Sequence, residues 1–435
     1  MSPLRITFLT AGSRGDVQPY VALGAGFKAA GHSVRVATFD AFEDFVSGFG
    51  LEYFPVRNGF EDMSDTEDWQ SWQQTGQNVA RYVYYLGKVL RTAQAELDQM
   101  LDDFWSACQG SDVVIGSSSA IGGPQIARRL GVPYFWALFN PMSRTRAFPH
   151  FLSPAWLRLG GHFNLFTYLV AEQGYWQLFG RAIDRWRRKT LQLPRLRGPG
   201  PYGLLGRSPY PVLYGFSEGL LPRPRDWHAR AHVTGFWFLP SLGGWRPPAR
   251  LSEFLAAGPP PVYVSLANIN SDDPPQLLKL VLEALARVGR RGVLLLDSGT
   301  MVGQDLPDWV YPLDEAPHDW LFPRMAAIMH HGGIGTIAAA LRAGVPSFGV
   351  PNVYDQPFWS RRLGKVGAGP TPIPPERLTV ERLATAFAVA TGDAAVRSRA
   401  AQLGERIRAE KGVETAVRVV HSYLNCMNGK RVLAL

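Results

Sequence analysis

Short apolar runs alternate with stretches of helical periodicity in the first third of the chain. The apolar runs predict β-strands over 5–10, 32–39, 51–56, 111–119 and 132–139. Apolar spacing that stops at a glycine predicts helices over 17–31 and 41–50. Alternation of strand and helix in this order is typical of a doubly wound parallel sheet.

A second alternation follows a segment, 236–261, whose proline and glycine content is typical of an interdomain linker. Here the pattern predicts strands over 261–268, 291–299, 325–331 and 345–351, and helices over 274–289, 335–344, 380–392 and 414–425. We therefore predict an α/β protein with two Rossmann-like doubly wound domains, 1–238 and 261–413, and a linker at 239–260. A C-terminal helix within 414–435 is expected to pack back toward the first domain. The two domains are expected to face an interdomain cleft, where ligands of such folds bind.

Composition excludes few of the possible classes of function. The 435 residues are too many for one ordinary core, and 46% hydrophobic with 19% charged residues is a globular balance. The net charge of +9 suits nucleic acid, anionic lipid or a phosphorylated ligand, but no nucleic-acid module is visible. Two cysteines, no signal peptide and no apolar run of membrane-spanning length predict a cytoplasmic protein.

The stretch TAGSRGDVQP, 10–19, has three interpretations. It is a glycine-rich nucleotide loop, an Arg-Gly-Asp adhesion tripeptide, or a loop that presents one catalytic carboxylate, Asp16. The adhesion tripeptide occurs often by chance and no secretion signal accompanies it, which disfavours that interpretation.

The segment 328–359 carries the most chemistry. A predicted strand ends at His330 and His331, three glycines follow, and Thr336 opens a predicted helix. Glycines allow close backbone approach and a helix N-terminus offers free N–H groups, so this turn suits a phosphate or diphosphate. The alternative is a turn that needs glycine for packing alone. Asp355 and Gln356 follow the next strand and suit hexose hydroxyls, with a solvated loop as the alternative.

Residues 151–197 are first aromatic and then basic. The plain interpretation is a helix with a packed face and a solvated face. The alternative is an amphipathic segment near an acceptor pocket, or a peripheral membrane contact through the basic stretch 181–197. Four aromatic residues are candidates for a lipophilic pocket rather than ordinary core: Trp136, Phe139, Phe148 and Trp176.

Three blocks carry a family resemblance. Residues 316–359, 12–38 and 215–239 resemble the GT-B glycosyltransferases of family 1, in particular the sterol 3-beta-glucosyltransferase-like branch and bacterial antibiotic glycosyltransferases. The resemblance implies a GT-B fold and a nucleotide-sugar donor. It also implies that Asp16 is the general base, without the His–Asp pair of plant-type members, since the matching strand carries serines.

The resemblance extends residue by residue to the donor site. It implies diphosphate contacts from His331, Gly333, Gly335 and Thr336, and sugar contacts from Asp355 and Gln356. Asn268 is a further candidate because its side-chain amide can hydrogen-bond a phosphate. The candidates for contact with the donor base are Pro317, His318 and Ser298, with Trp309 or Tyr311 as a substitute stacking ring. The chain departs from the family where Ala267 and Asn268 replace a Phe-Gly-Ser run, and where Glu315 stands in place of a stacking tryptophan.

These expectations define one reaction. A hexose from a UDP- or dTDP-sugar is transferred with inversion to a hydroxyl of a lipophilic acceptor (sterol-like, polyketide or another aglycone). No Asp-x-Asp pair occurs, so no metal or other cofactor is expected, and the helix N-terminus would stabilise the leaving diphosphate. The alternatives are a nucleotide-sugar epimerase of the same fold and a non-catalytic nucleotide-sugar-binding protein.

Overall fold

A computed structural model describes residues 2–58, 81, 84–85, 87–89, 94–154, 159–196, 200–203, 205–239, 244–266, 269, 273–296 and 306–432. Within these ranges the strands form two sheets, and all the strand pairs are parallel. The prediction of two doubly wound Rossmann-like domains is confirmed.

The first sheet has seven strands in the order β3-β2-β1-β4-β5-β6-β7. They are β1 Arg5–Leu9, β2 Ser33–Phe39, β3 Glu52–Val56, β4 Val113–Gly116, β5 Tyr134–Leu138, β6 Val212–Tyr214 and β7 Ala231–Val233. The order reverses between β1 and β4, and the residues after these two strands face the cleft. β5 is buried along its whole length, as expected for a central strand covered on both faces.

Helices cover both faces of this sheet. They are α1 Arg14–Ala29, α2 Glu43–Gly48, α3 Gln94–Ala107, α4 Gly123–Leu130, α5 Gly161–Lys189 and the short α6 Gly200–Gly203. α5 combines most of the aromatic and basic segment into one helix of 29 residues. Its buried residues include Tyr168, Ile183 and Trp186, so part of the segment is core, as the plain interpretation predicts.

The second sheet has five strands in the order β10-β9-β8-β11-β12. They are β8 Val262–Ser265, β9 Gly292–Leu295, β10 Val310–Leu313, β11 Ala327–His330 and β12 Ser347–Gly349. The helices of this half are α7 Ala249–Ala256, α8 Pro274–Arg287, α9 His318–Leu321, α10 Ile334–Ala343, α11 Gln356–Lys365, α12 Val380–Gly392 and α13 Ala394–Ala409.

The last helix, α14 Gly412–Val432, leaves the second domain and packs on the first. Its apolar residues Ala416, Val417 and Val420 belong to the same buried cluster as the inner face of α1. Contact is close, because a Cβ added to Gly26 of α1 would lie 2.3 Å from a methyl of Val413. The C-terminal helix therefore supports the helix that follows β1.

Apolar contacts also join the two domains directly. Phe216 of the first domain packs on Trp359 of α11, with ring centroids 5.4 Å apart. The Trp359 indole N–H donates to Asn140 Oδ1 at 3.0 Å, and both side chains are buried. The domains meet through a packed interface on one side of the cleft.

Candidate active site at the interdomain cleft

A cavity of about 2070 Å³ lies between the carboxyl ends of the two sheets. Residues that directly follow β1, β4 and β5 line it from the first domain, and residues that follow β10, β11 and β12 line it from the second. Asp16, His331 and Asp355 all face this one space. The structure therefore brings together side chains that are more than three hundred positions apart in the sequence.

Asp16 lies in the first turn of α1, not in the loop before a helix at 17. The helix begins earlier because Ser13 and Asp16 cap it: the Ser13 N–H and Oγ both donate to Asp16 Oδ2, each at 2.9 Å. Thr10 Oγ1 donates to the Asp16 carbonyl at 2.7 Å. Both bonds to the carboxylate end on Oδ2 and fix its orientation.

Gly12 makes room for this carboxylate. Its φ of 135° lies in a region that side chains rarely adopt, and a Cβ at this position would lie 2.5 Å from Asp16 Oδ2. Gly15 has no such requirement, since a Cβ there would meet only Ser13 Oγ at an ordinary 3.6 Å. Of the two glycines of this motif, the turn therefore requires Gly12 and not Gly15.

Burial raises the pKa of the Asp16 carboxyl above its usual value, and the two bonds from Ser13 oppose this only in part. Asp16 itself is exposed to the open space of the cleft, and residues of both domains line that space. A carboxylate with a raised pKa is a stronger base than an aspartate of ordinary pKa, so this environment suits proton abstraction.

The glycine-rich turn after β11 leads into α10, which begins at Ile334, two residues before Thr336. Gly333 is the residue before the first turn, and its carbonyl accepts from the Ile337 N–H at 3.1 Å. The N–H groups of the first turn, including those of Gly335 and Thr336, therefore have no intrahelical partner. A Cβ at Gly335 would project into open space, so the backbone here is free to contact an anion.

The two histidines of this turn differ. His330 is fully buried, and its Nδ1 accepts from the Gly332 N–H at 2.9 Å, which shapes the turn. His331 lines the cavity, and among the described residues its buried Nδ1 has no partner. Burial lowers the pKa of His331 to about 4, so a neutral imidazole faces the space beside the free N–H groups.

Asp355 and Gln356 lie at the start of α11 and also line the cavity. Burial and the nearby charge of Asp16 raise the pKa of Asp355 to about 7. Gln356 Oε1 accepts from the Asn352 N–H at 2.9 Å and the Val353 N–H at 3.3 Å. This oxygen therefore holds the loop that precedes α11.

Family models match both halves of the chain. The glycosyltransferase family 28 N-terminal domain matches residues 6–149, and the erythromycin biosynthesis protein CIII-like C-terminal domain matches residues 279–421. The chain has the GT-B fold of glycosyltransferases. A sterol 3-beta-glucosyltransferase from Emericella nidulans is 37% identical over 96% of this chain. The chain spans 30% of the length of that relative.

Solved structures agree with the fold. The glycotransferase of kitacinnamycin has a TM-score of 0.71 at 20% identity, over 97% of this chain and all of that one. Glycosyltransferase VinC, solved in complex with dTDP, has a TM-score of 0.65 at 20% identity, over 97% of this chain and 100% of that one. At this identity the likeness concerns the architecture alone.

In this GT-B chain the predicted donor-base region is only partly at the cavity. Pro317 and His318 line it, and His318 stacks on Phe322 with centroids 4.2 Å apart. Burial lowers the pKa of His318 to about 4. The structure does not place Trp309 and Tyr311 at the cavity. Trp309 packs against the core beside α8, and the Tyr311 ring packs on the Phe254 ring with centroids 5.6 Å apart. Asn268 and Ser298 lie outside the described residues.

Three cavity residues near this region were not among the predicted site residues. Trp245 lines the cavity and packs on Trp320 at 5.0 Å. Arg14 reaches across the cleft to Glu315, with 3.7 Å between the charged groups. No local pattern signals these residues, because each pairing joins segments that are distant in the sequence.

The apolar wall of the cavity belongs to the first domain. Of the four predicted pocket aromatics only Phe139 lines it. Trp136 is a core residue of β5, Phe148 packs on Phe358, and Trp176 packs against the core beside Gly180. The side-chain directions along β5 and α5 place Trp136 and Trp176 toward the core, and Phe148 lies between these two elements. Other apolar residues form the wall instead: Met142, Phe151, Phe163, Phe166, Val170 and Phe179.

The basic stretch 181–197 bonds largely to its own surroundings. Asp184 pairs with Arg188 at 3.7 Å and with Arg195 at 3.4 Å, and Arg185 pairs with Asp98 at 2.8 Å. Arg187 is buried and donates to the Pro194 carbonyl at 2.7 Å. Among the helices that the structure describes, none has the length and apolar character needed to cross a bilayer. Peripheral membrane contact stays a prediction.

Proposed function

We propose that this chain is an inverting glycosyltransferase that moves a hexose from a nucleoside-diphosphate sugar to a hydroxyl of a lipophilic acceptor. One observation carries the proposal: a carboxylate of raised pKa, a free helix N-terminus and a second carboxylate face one cavity from opposite domains. The fold family supplies the reaction class, and the sterol glucosyltransferase relatives support glucose and a sterol-like acceptor.

The donor would lie against the second domain. The first-turn N–H groups of α10 point at its diphosphate, and the helix dipole favours the negative charge that grows as the bond to the sugar breaks. His331, neutral when the site is empty, donates a hydrogen bond to a phosphate oxygen. Asp355 accepts hydrogen bonds from sugar hydroxyls, and the Gln356 amide nitrogen donates to them.

The acceptor would enter through the apolar wall of the first domain. Its hydroxyl approaches the anomeric carbon from the side opposite the diphosphate, and Asp16 Oδ1 takes the hydroxyl proton as the new bond forms. The carbon–oxygen bond to the diphosphate breaks in the same step, so the anomeric configuration inverts. Charge stabilisation by α10 and His331 is the reason that no metal ion is required in this proposal.

The test is a donor and acceptor screen followed by two variants. UDP-glucose and dTDP-glucose are incubated with sterols and phenols, and mass spectrometry detects the hexose increment; the anomeric proton coupling in the NMR spectrum reports inversion. In Asp16→Asn we expect at least a hundred-fold loss of kcat with unchanged binding of the nucleotide, a loss within the range of general-base catalysis of roughly 10²–10⁴.

His331→Ala separates donor binding from base catalysis. We expect weaker nucleotide affinity by calorimetry together with slower transfer, because a hydrogen bond to a charged group contributes about 1.5–3 kcal/mol. Undiminished turnover in Asp16→Asn would refute the base assignment, and undiminished nucleotide affinity in His331→Ala would refute the diphosphate role.

A further inference from the structure

Tyr354 has an unusual backbone conformation. Its φ is 58°, in the left-handed region, where an L side chain is disfavoured because its Cβ crowds the following carbonyl. Among the described residues other than glycine, Gln192 alone shares a positive φ. Strain of this kind persists only where the surrounding structure fixes it, and it is a recognised mark of functional loops.

The loop around Tyr354 is held by neighbouring bonds. Gln356 Oε1 accepts from the N–H groups of Asn352 and Val353, on the two residues that precede Tyr354. The Trp359 N–H donates to the Asp355 carbonyl at 3.1 Å on the other side. The backbone on both sides is fixed, so Tyr354 cannot relax without breaking these contacts.

The Tyr354 side chain reaches across the cleft. It is 39% exposed, lines the cavity and meets the ring of Phe151 edge to face, with centroids 5.3 Å apart and an interplanar angle of 81°. Phe151 belongs to the first domain and to the apolar wall. The phenol of Tyr20 lies within electrostatic reach of both Tyr354 and Asp16. The ring thus lies where the sugar region meets the apolar wall, near the candidate base.

We propose that Tyr354 is a specificity-determining residue that positions the acceptor over the sugar. With Phe151 it forms an aromatic bridge between the domains, which covers the junction between the sugar-binding carboxylate Asp355 and the apolar wall. The bridge holds a flat lipophilic acceptor with its hydroxyl toward Asp16 and keeps water away from the anomeric carbon. This inference rests on the proposed function.

The test uses strain relief to separate this role from a structural one. Tyr354→Gly and Tyr354→Asn suit the left-handed backbone and remove the ring, whereas Tyr354→Phe keeps the ring and the strain. We expect Gly and Asn to raise the melting temperature and yet raise the acceptor KM about ten-fold, the scale of a lost aromatic contact. In Tyr354→Gly and Tyr354→Asn, the rate of donor hydrolysis measured without acceptor should rise relative to the rate of transfer. Tyr354→Phe should stay near wild type in both rates.

Gln192→Gly is the matched control. It relieves the other left-handed residue, which is exposed and outside the cavity, so the melting temperature should rise while the acceptor KM stays unchanged. If Tyr354→Gly keeps the acceptor KM within two-fold and the same ratio of hydrolysis to transfer, the inference is refuted. If the wild-type chain transfers no sugar in the screen although it binds the nucleotide, the proposed function fails, and the inference falls with it.

Discussion

The Gly12→Ala variant tests whether the geometry of the turn, rather than the mere presence of Asp16, sets the rate. The new Cβ would lie 2.5 Å from Asp16 Oδ2, whereas ordinary contacts begin near 3.4 Å. The carboxylate must therefore move by about 1 Å, and a misplacement of this size costs on the order of 10²-fold in rate. The φ of 135° adds about 1–3 kcal/mol of backbone strain.

The assay compares kcat, nucleotide affinity and unfolding for this variant and for Gly15→Ala. Gly15 lies in the same motif, has no positive φ and has room for a Cβ, so its substitution should leave kcat nearly unchanged. We expect Gly12→Ala to lose about a hundred-fold in kcat while nucleotide binding by calorimetry survives. A kcat within three-fold of wild type, or equal losses in the two variants, would contradict the reasoning.

Three other predictions follow from contacts at the cleft. The pKa of Asp355 is raised to about 7, so the folded state favours the protonated carboxyl, and the stability of the fold decreases as pH rises toward and through that value. The variant Asp355→Asn should therefore raise the melting temperature more at pH 8 than at pH 5. An equal gain at the two pH values would count against the raised pKa. Transfer should keep its rate in excess EDTA, because α10 and His331 stabilise the leaving group; a loss that Mg²⁺ restores would contradict this. Trp359→Phe leaves the buried Asn140 Oδ1 without its donor and should cost about 1–3 kcal/mol in urea unfolding, whereas an unchanged midpoint would show that the bond contributes little.

The first three strands and the glycine-rich turn are visible in the sequence because apolar periodicity and glycine are local signals. β6 and β7, three residues each, are too short to show a period. β10 was not predicted, since it contains Pro312; the structure places it at the sheet edge, where proline is tolerated.

The site could be predicted where the chemistry is local and not where it depends on packing. Asp16 and His331 stand in short motifs next to strand ends, and the structure places both at the cavity. The sequence does not distinguish a pocket position from a core position for Trp136, because β5 is buried on both faces and its residues are apolar on either side. The contacts of Arg14 with Glu315 and of Tyr354 with Phe151 join the two domains, so no local sequence pattern predicts them.

The position of α14 has a consequence for how the protein is made. The first domain is synthesised first, yet part of the surface of α1 packs against α14, whose Ala416, Val417 and Val420 leave the ribosome close to four hundred residues after it. Until then, this part of α1 lacks its native packing partner. The helix that holds Asp16 thus gains its final support only once the second domain has been translated, so the first domain reaches its final packing after the second has been made.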